Sequence, residues 1–128
     1  MRVRARQVNL AEAPDSIREF LGNPDQVLVS PGKEYEVHAV AVFKGQVFML
    51  FVNDLGYPDW DPAWLFDVVD SAIPADWICS AFHEEPSLVL GPDFIAGSVE
   101  EYCAMVELEP EQVERFWRRV KLSDGGRQ

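Results

Sequence analysis

Hydrophobic and polar positions alternate most plainly between Lys33 and Asn53, where two apolar, β-branched runs, YEVHAVAVF and QVFMLFV, are joined by Lys44-Gly45. Alternation of this kind around a turn pair that tolerates positive φ predicts a tight antiparallel hairpin. In its first strand Tyr35, Val37, Ala39 and Ala41 fall on one face. Glu34, Glu36 and His38 share the other with Val40 and Val42, so the strand is expected to have a polar half and a fully buried half. At the N-terminus Arg2, Arg4 and Arg6 alternate with Val3, Ala5 and Gln7, which predicts a strand carrying three guanidinium groups on one face. Opposite charges across neighbouring strands attract, so this strand is expected beside Glu34 and Glu36.

Helical spacing takes over elsewhere. Ile17, Phe20 and Leu21 stand at i, i+3 and i+4 between Pro14 and Gly22, the pattern of a short helix with a left-handed stop. Ser30-Pro31-Gly32-Lys33 reads as a type II turn. Asp54 and Gly56 mark another turn, and Asp61-Pro62-Ala63-Trp64 reads as an N-cap followed by a short helical turn. Strands are expected over 65–70, 77–82 and 87–90. After a loop at Gly91-Pro92-Asp93, Ser98 and Glu101 form a capping box, and Val99, Tyr102, Cys103 and Val106 stripe one helical face. Pro110 opens a last helix in which Val113, Phe116, Trp117 and Val120 repeat that spacing, with its acids early and its bases late as the helix dipole prefers. The expected fold class is α+β: a small antiparallel, partly open β-barrel or strongly bent sheet, with one short N-terminal helix and two C-terminal helices packed against it. Residues 1–122 are expected to form a single domain and 123–128 a disordered tail.

Composition narrows the partners. The chain has 128 residues, 48% of them hydrophobic, enough for one domain with one core. A formal net charge of −11 argues against nucleic acid, whose phosphates call for clustered Lys and Arg, and against anionic membrane surfaces. No run approaches the ~18 apolar residues of a membrane span, and MRVRARQVNL lacks the apolar stretch of a signal peptide, so a cytoplasmic location is expected. There Cys79 and Cys103 are expected to be buried thiols. From Glu19 to Glu114 nineteen residues are acidic and only Lys33 and Lys44 are basic, which leaves an acidic body with basic ends. Such a body either folds its ends back as counter-charge or presents a negative face to a basic partner.

Three of the four tryptophans and six aspartates gather between Asn53 and Trp77. Asp54, Asp59 and Asp61 match no calcium-loop spacing and read as solvated turn residues, so no metal or other cofactor is expected. Trp64, Trp77 and Trp117 stand among apolar residues and read as core. Trp60, flanked by Asp59 and Asp61 and preceded by Tyr57-Pro58, has the composition of an interface anchor with an acidic rim; alternatively it plugs the end of the barrel. His83 beside Glu84 and Glu85, and His38 beside Glu36, are the only candidates for acid-base work, and no nucleophile elbow or phosphate-cradling loop accompanies them.

The order Gly32-Lys33-Glu34-Tyr35-Glu36-Val37, a hairpin, Pro58, Trp60, Pro62, Leu65-Phe66-Asp67-Val68-Val69-Asp70 and Asp76-Trp77 resembles a loose family of small bacterial proteins with an SH3-like strand core. The resemblance covers about the middle third of the chain. It implies an immunity-type protein that neutralises a toxin, and it carries no catalytic residue. Three function classes follow. One is a binding module whose face around Asp54, Tyr57, Asp59, Trp60 and Asp61 docks on a basic protein. The second is a small enzyme or ligand-binding protein using His83 or His38 with nearby carboxylates. The third is a regulatory or scaffold subunit.

Overall fold

The structure is a computed structural model that describes residues 1–125. In chain order it comprises strand β1 (Arg2–Ala5), helix α1 (Asp15–Leu21), and strands β2 (Glu34–Glu36), β3 (Ala39–Phe43), β4 (Gln46–Val52), β5 (Pro58–Pro62), β6 (Phe66–Asp70), β7 (Ile78–Ala81) and β8 (Leu88–Gly91). Helices α2 (Asp93–Ala96), α3 (Val99–Val106) and α4 (Pro110–Gly125) follow. Of the expected tail, residues 126–128 lie outside the described residues, and α4 runs to Gly125.

The architecture is α+β with two antiparallel sheets, and among the described residues no closed barrel forms. β1 sits between β2 and β6 in a three-stranded sheet; the other five strands run in the order β5-β4-β3-β8-β7. As expected from the charges, Arg2 lies opposite Glu36 and Arg4 opposite Glu34, and the Arg4 guanidinium donates to the Glu34 carboxylate at 2.9 Å. The hairpin turns at Lys44 and Gly45 with φ of 50° and 76°, which only a primed turn needs and which glycine adopts without strain.

The first strand of that hairpin differs from expectation. Its alternation survives, since Tyr35, Val37, Ala39 and Ala41 are all buried. The strand itself is broken at Val37-His38, because β2 pairs with β1 in one sheet and β3 with β4 in the other. Crossing between sheets sends the buried residues into two cores. Tyr35 and Val37 pack with Val3, Met49, Phe51, Phe66 and the α1 residues Ile17 and Leu21. Ala39 and Ala41 pack with Leu50, Val89 and the helical residues Ile95, Tyr102, Met105 and Phe116. The five-stranded sheet is thus apolar on both faces, one turned to the small sheet and α1, the other to α2, α3 and α4.

Several local expectations are corrected. The loop after Gly91 contains α2, which begins at Asp93 and buries Ile95 and Ala96. α3 buries Tyr102 and Met105, leaving Cys103 and Val106 exposed, so its stripe is rotated from the expected one. The capping box is half formed: the Ser98 hydroxyl accepts from the Glu101 N–H at 3.1 Å, while Glu101 Oε2 is buried without a hydrogen-bond partner. On α4 Phe116 is buried but Trp117 lies exposed beside it, and the residue one turn before Phe116 on the inner face is Gln112. Both cysteines are exposed free thiols, because Cys79 lies on the edge strand β7 and Cys103 on the outer side of α3. No helix among the described residues is long and apolar enough to cross a membrane.

Candidate functional site

The acidic stretch divides by element. Asn53 is buried, and its side-chain oxygen accepts from the N–H groups of Leu55 and Tyr57, shaping the turn that leaves Tyr57 exposed. Asp54 is committed within the molecule. It accepts from Ser30 Oγ at 2.6 Å, Tyr35 Oη at 2.7 Å and Lys33 Nζ at 3.0 Å. Burial pushes its carboxyl upward, but these three donors outweigh that and hold it below the ordinary aspartate value.

Asp59, Trp60 and Asp61 belong to β5 rather than to a solvated loop, and the pleat sends them to opposite faces. Asp59 and Asp61 stand opposite Phe51 and Met49, toward the core shared with α1. Asp59 receives the Asn53 side-chain amide at 3.2 Å, and burial raises its carboxyl. Asp61, expected as an exposed N-cap, is 9% exposed, and its Oδ2 has no hydrogen-bond partner. Burial, with repulsion from Asp59, pushes it up to about 8. The cap is unnecessary, because the 3-10 turn over Ala63–Leu65 starts directly from Pro62 without any side-chain cap.

Trp60 stands opposite Leu50 and faces the helical side, where its ring meets Tyr102 of α3. It is half-buried, and its indole N–H is buried without an acceptor. Beside it opens a groove of about 270 Å³ walled by Phe20, Phe43, Phe48, Tyr102 and Val106. Phe20 meets Phe48 edge to face at 5.0 Å, so α1 and the hairpin form one wall and α3 the other. The rim is acidic. Glu107 lines the groove, and burial together with Glu107, Glu100 and Glu84 raises the Cys103 thiol at its edge. Tyr102 is pushed up to about 12 by burial, with Cys103 and Glu85 adding to it. Glu85 is fixed there by accepting the Lys44 N–H at 2.9 Å; the Lys44 ammonium lies over the Phe43 ring.

The two histidines separate. His83 is exposed beyond β7, whereas His38 meets the Phe116 ring edge to face and lines a larger concavity of about 610 Å³. Glu36 and Asp76 line the same concavity. Sequence reasoning passed over its other wall, where α4 presents Arg115, Arg118 and Arg119. Asp76 and Arg119 form a two-pronged ion pair, whose hydrogen bonds hold the Asp76 carboxyl below its ordinary value. Arginines at i, i+3 and i+4 share a helix face, a signal present in the sequence but read there only as dipole compensation. Gln112 was likewise missed: buried, it donates through Nε2 to the carbonyls of Phe94 and Glu101, tying α4 to α2 and α3.

Among the described residues, no group of three or more His, Cys, Asp or Glu side chains is placed to hold a metal ion. No protein-family model, curated protein or solved structure matches the chain.

Proposed function

We propose that the chain is a protein-binding module, and that the groove beside Trp60 receives an apolar segment of a basic partner. The observation that carries this reading is the groove's make-up: aromatic walls from α1, the hairpin and α3, with Glu84, Glu85, Glu100 and Glu107 acting on the residues at its edge. A desolvated aromatic centre within a charged rim is how protein interfaces combine affinity with selection of a partner's charge. Trp60 keeps the anchor role expected of it, but the charge comes from α3 and the β7–β8 connection rather than from Asp54, Asp59 and Asp61. Tyr57, exposed on the loop before β5, does not line the groove.

The immunity-type role, an SH3-like character of the strand core and a cytoplasmic location belong to the same proposal. A basic toxin is a partner of the required chemistry, and the overall charge of −11 would speed its approach in a salt-dependent way.

The test is a titration with a helical peptide of leucine and lysine, compared with a leucine–glutamate peptide of the same apolar content. The lysine peptide is expected to perturb the Trp60 indole and Tyr102 ring signals, and the glutamate peptide to leave them unmoved. Val106→Lys, at an exposed wall position, is expected to weaken binding without altering the melting temperature. Equal response to both peptides, or full binding by Val106→Lys, would overturn the proposal. The immunity role requires that a toxin gene lie beside its own and that co-expression with that toxin restore growth.

A further inference from the structure

The concavity between α4 and the end of β2 uses none of the groove residues. Its volume of about 610 Å³ lies within the range of small-molecule sites. Val37, Trp77, Phe94 and Val120 give it apolar surface, and Arg115, Arg118 and Arg119 line one wall from successive turns of α4. We propose that it binds a small organic oxyanion, a phosphate or carboxylate carried on an apolar body.

The three arginines are not equally engaged. Arg119 is held by both oxygens of Asp76 and is 28% exposed, so it serves as a fixed part of the wall. Arg115 reaches Glu111 at 3.4 Å and Arg118 reaches Glu114 at 2.9 Å, in pairs along the helix whose members are all well exposed. Exposed pairs of this kind are weak, so a ligand oxyanion that engages a guanidinium in bidentate fashion is the stronger acceptor. Glu36 and Asp76 on the facing wall repel an anion, which directs the oxyanion toward Arg115 and Arg118 and the apolar body toward Trp77 and Phe94.

Charge also sets the size of the ligand. With the helix partners Glu111 and Glu114 counted, three arginines stand among four carboxylates, so a ligand oxyanion reaches Arg115 and Arg118 by displacing Glu111 and Glu114, on a chain of net charge −11. Beyond a Debye length of about 10 Å the acidic remainder is screened for a small anion, whereas a polyanion extends over it and is repelled. The ligand is therefore a small molecule and not a nucleic acid.

The probes are phenyl phosphate, benzoate and inorganic phosphate, followed by NMR at the Trp77 indole and the arginine Nε–H signals. Phenyl phosphate and benzoate are expected to shift both sets of signals, at concentrations at least about tenfold below those inorganic phosphate needs. Arg115→Gln with Arg118→Gln is expected to weaken phenyl phosphate at least about tenfold at an unchanged melting temperature, since both side chains are exposed. Three results would overturn the proposal: no shift with either organic anion, unchanged affinity in the double variant, or inorganic phosphate binding as well as phenyl phosphate. Val106→Lys in the other groove leaves this site intact, so the two proposals fail separately.

Discussion

Trp60 on β5 and Tyr102 on α3 meet edge to face, with ring centroids 5.3 Å apart, and this contact joins the edge of the large sheet to the helical layer. The ring contributes packing, whereas the indole N–H, buried without an acceptor, costs free energy. Trp60→Ala is expected to lower stability by about 2 kcal/mol, less than a fully buried tryptophan because the ring is half-buried. Trp60→Phe keeps an aromatic face and removes the orphaned donor, so its urea midpoint should equal or exceed that of the parent chain. A loss as large as that of Trp60→Ala would show that the N–H has a partner in solution.

Gly91, at the end of β8, lies where a Cβ would stand 2.9 Å from Ala39 Cβ on β3. Neither strand can retreat, since Ala39 is fully buried in the core under the helices. Gly91→Ala is expected to cost about 2 kcal/mol through overpacking. Combined with Ala39→Gly the losses should be less than additive, because the second change removes the atom the first one meets. A denaturation cycle measures this coupling, and strict additivity would remove the steric explanation.

Gln112 offers a test of the helical layer. Its side-chain amide serves the carbonyls of Phe94 and Glu101 from a position only 4% exposed. Gln112→Leu fills the space but removes the amide that both carbonyls accept from, with an expected cost of about 2 kcal/mol in chemical denaturation. A leucine chain as stable as the parent would mean that water reaches those carbonyls.

What could be read from the sequence was periodicity; what could not was which sheet a strand enters. The Lys44-Gly45 hairpin, the Arg4–Glu34 adjacency and the helix ending at Gly22 follow from local pattern and charge. The break at Val37-His38 leaves the alternation of buried residues untouched, so nothing in the pattern betrays the change of core. The same limit affected Asp59 and Asp61. Aspartate beside proline is a sound turn signal, yet Pro58 and Pro62 bound an edge strand, where a missing N–H on the outer side is tolerated. Trp60 was singled out on its flanking charges, but its groove depends on Phe20, Phe48 and Tyr102, which converge only in the tertiary structure.

Asp61 sets the expected pH dependence. Its ordinary value of 3.8 stands for the unfolded chain, and in the fold it is raised to about 8 by burial and then by Asp59. Between those values the folded state keeps a proton that the unfolded chain has released, so stability falls as pH rises through that window. At about 1.4 kcal/mol per unit, the loss across that window is expected to be several kcal/mol. Asp54 and Asp76 act in the opposite sense: their lowered carboxyls stabilise the fold above 3.8, and that contribution is lost as pH falls through their folded values. Stability should therefore peak in mildly acidic solution, with urea midpoints declining toward pH 8. Asp61→Asn, which cannot ionise, should flatten the alkaline decline and leave the acid limb in place. If the asparagine chain declines as steeply as the parent, the decline belongs to Asp59, whose carboxyl burial also raises, or to the general repulsion of a chain of net charge −11, and not to Asp61.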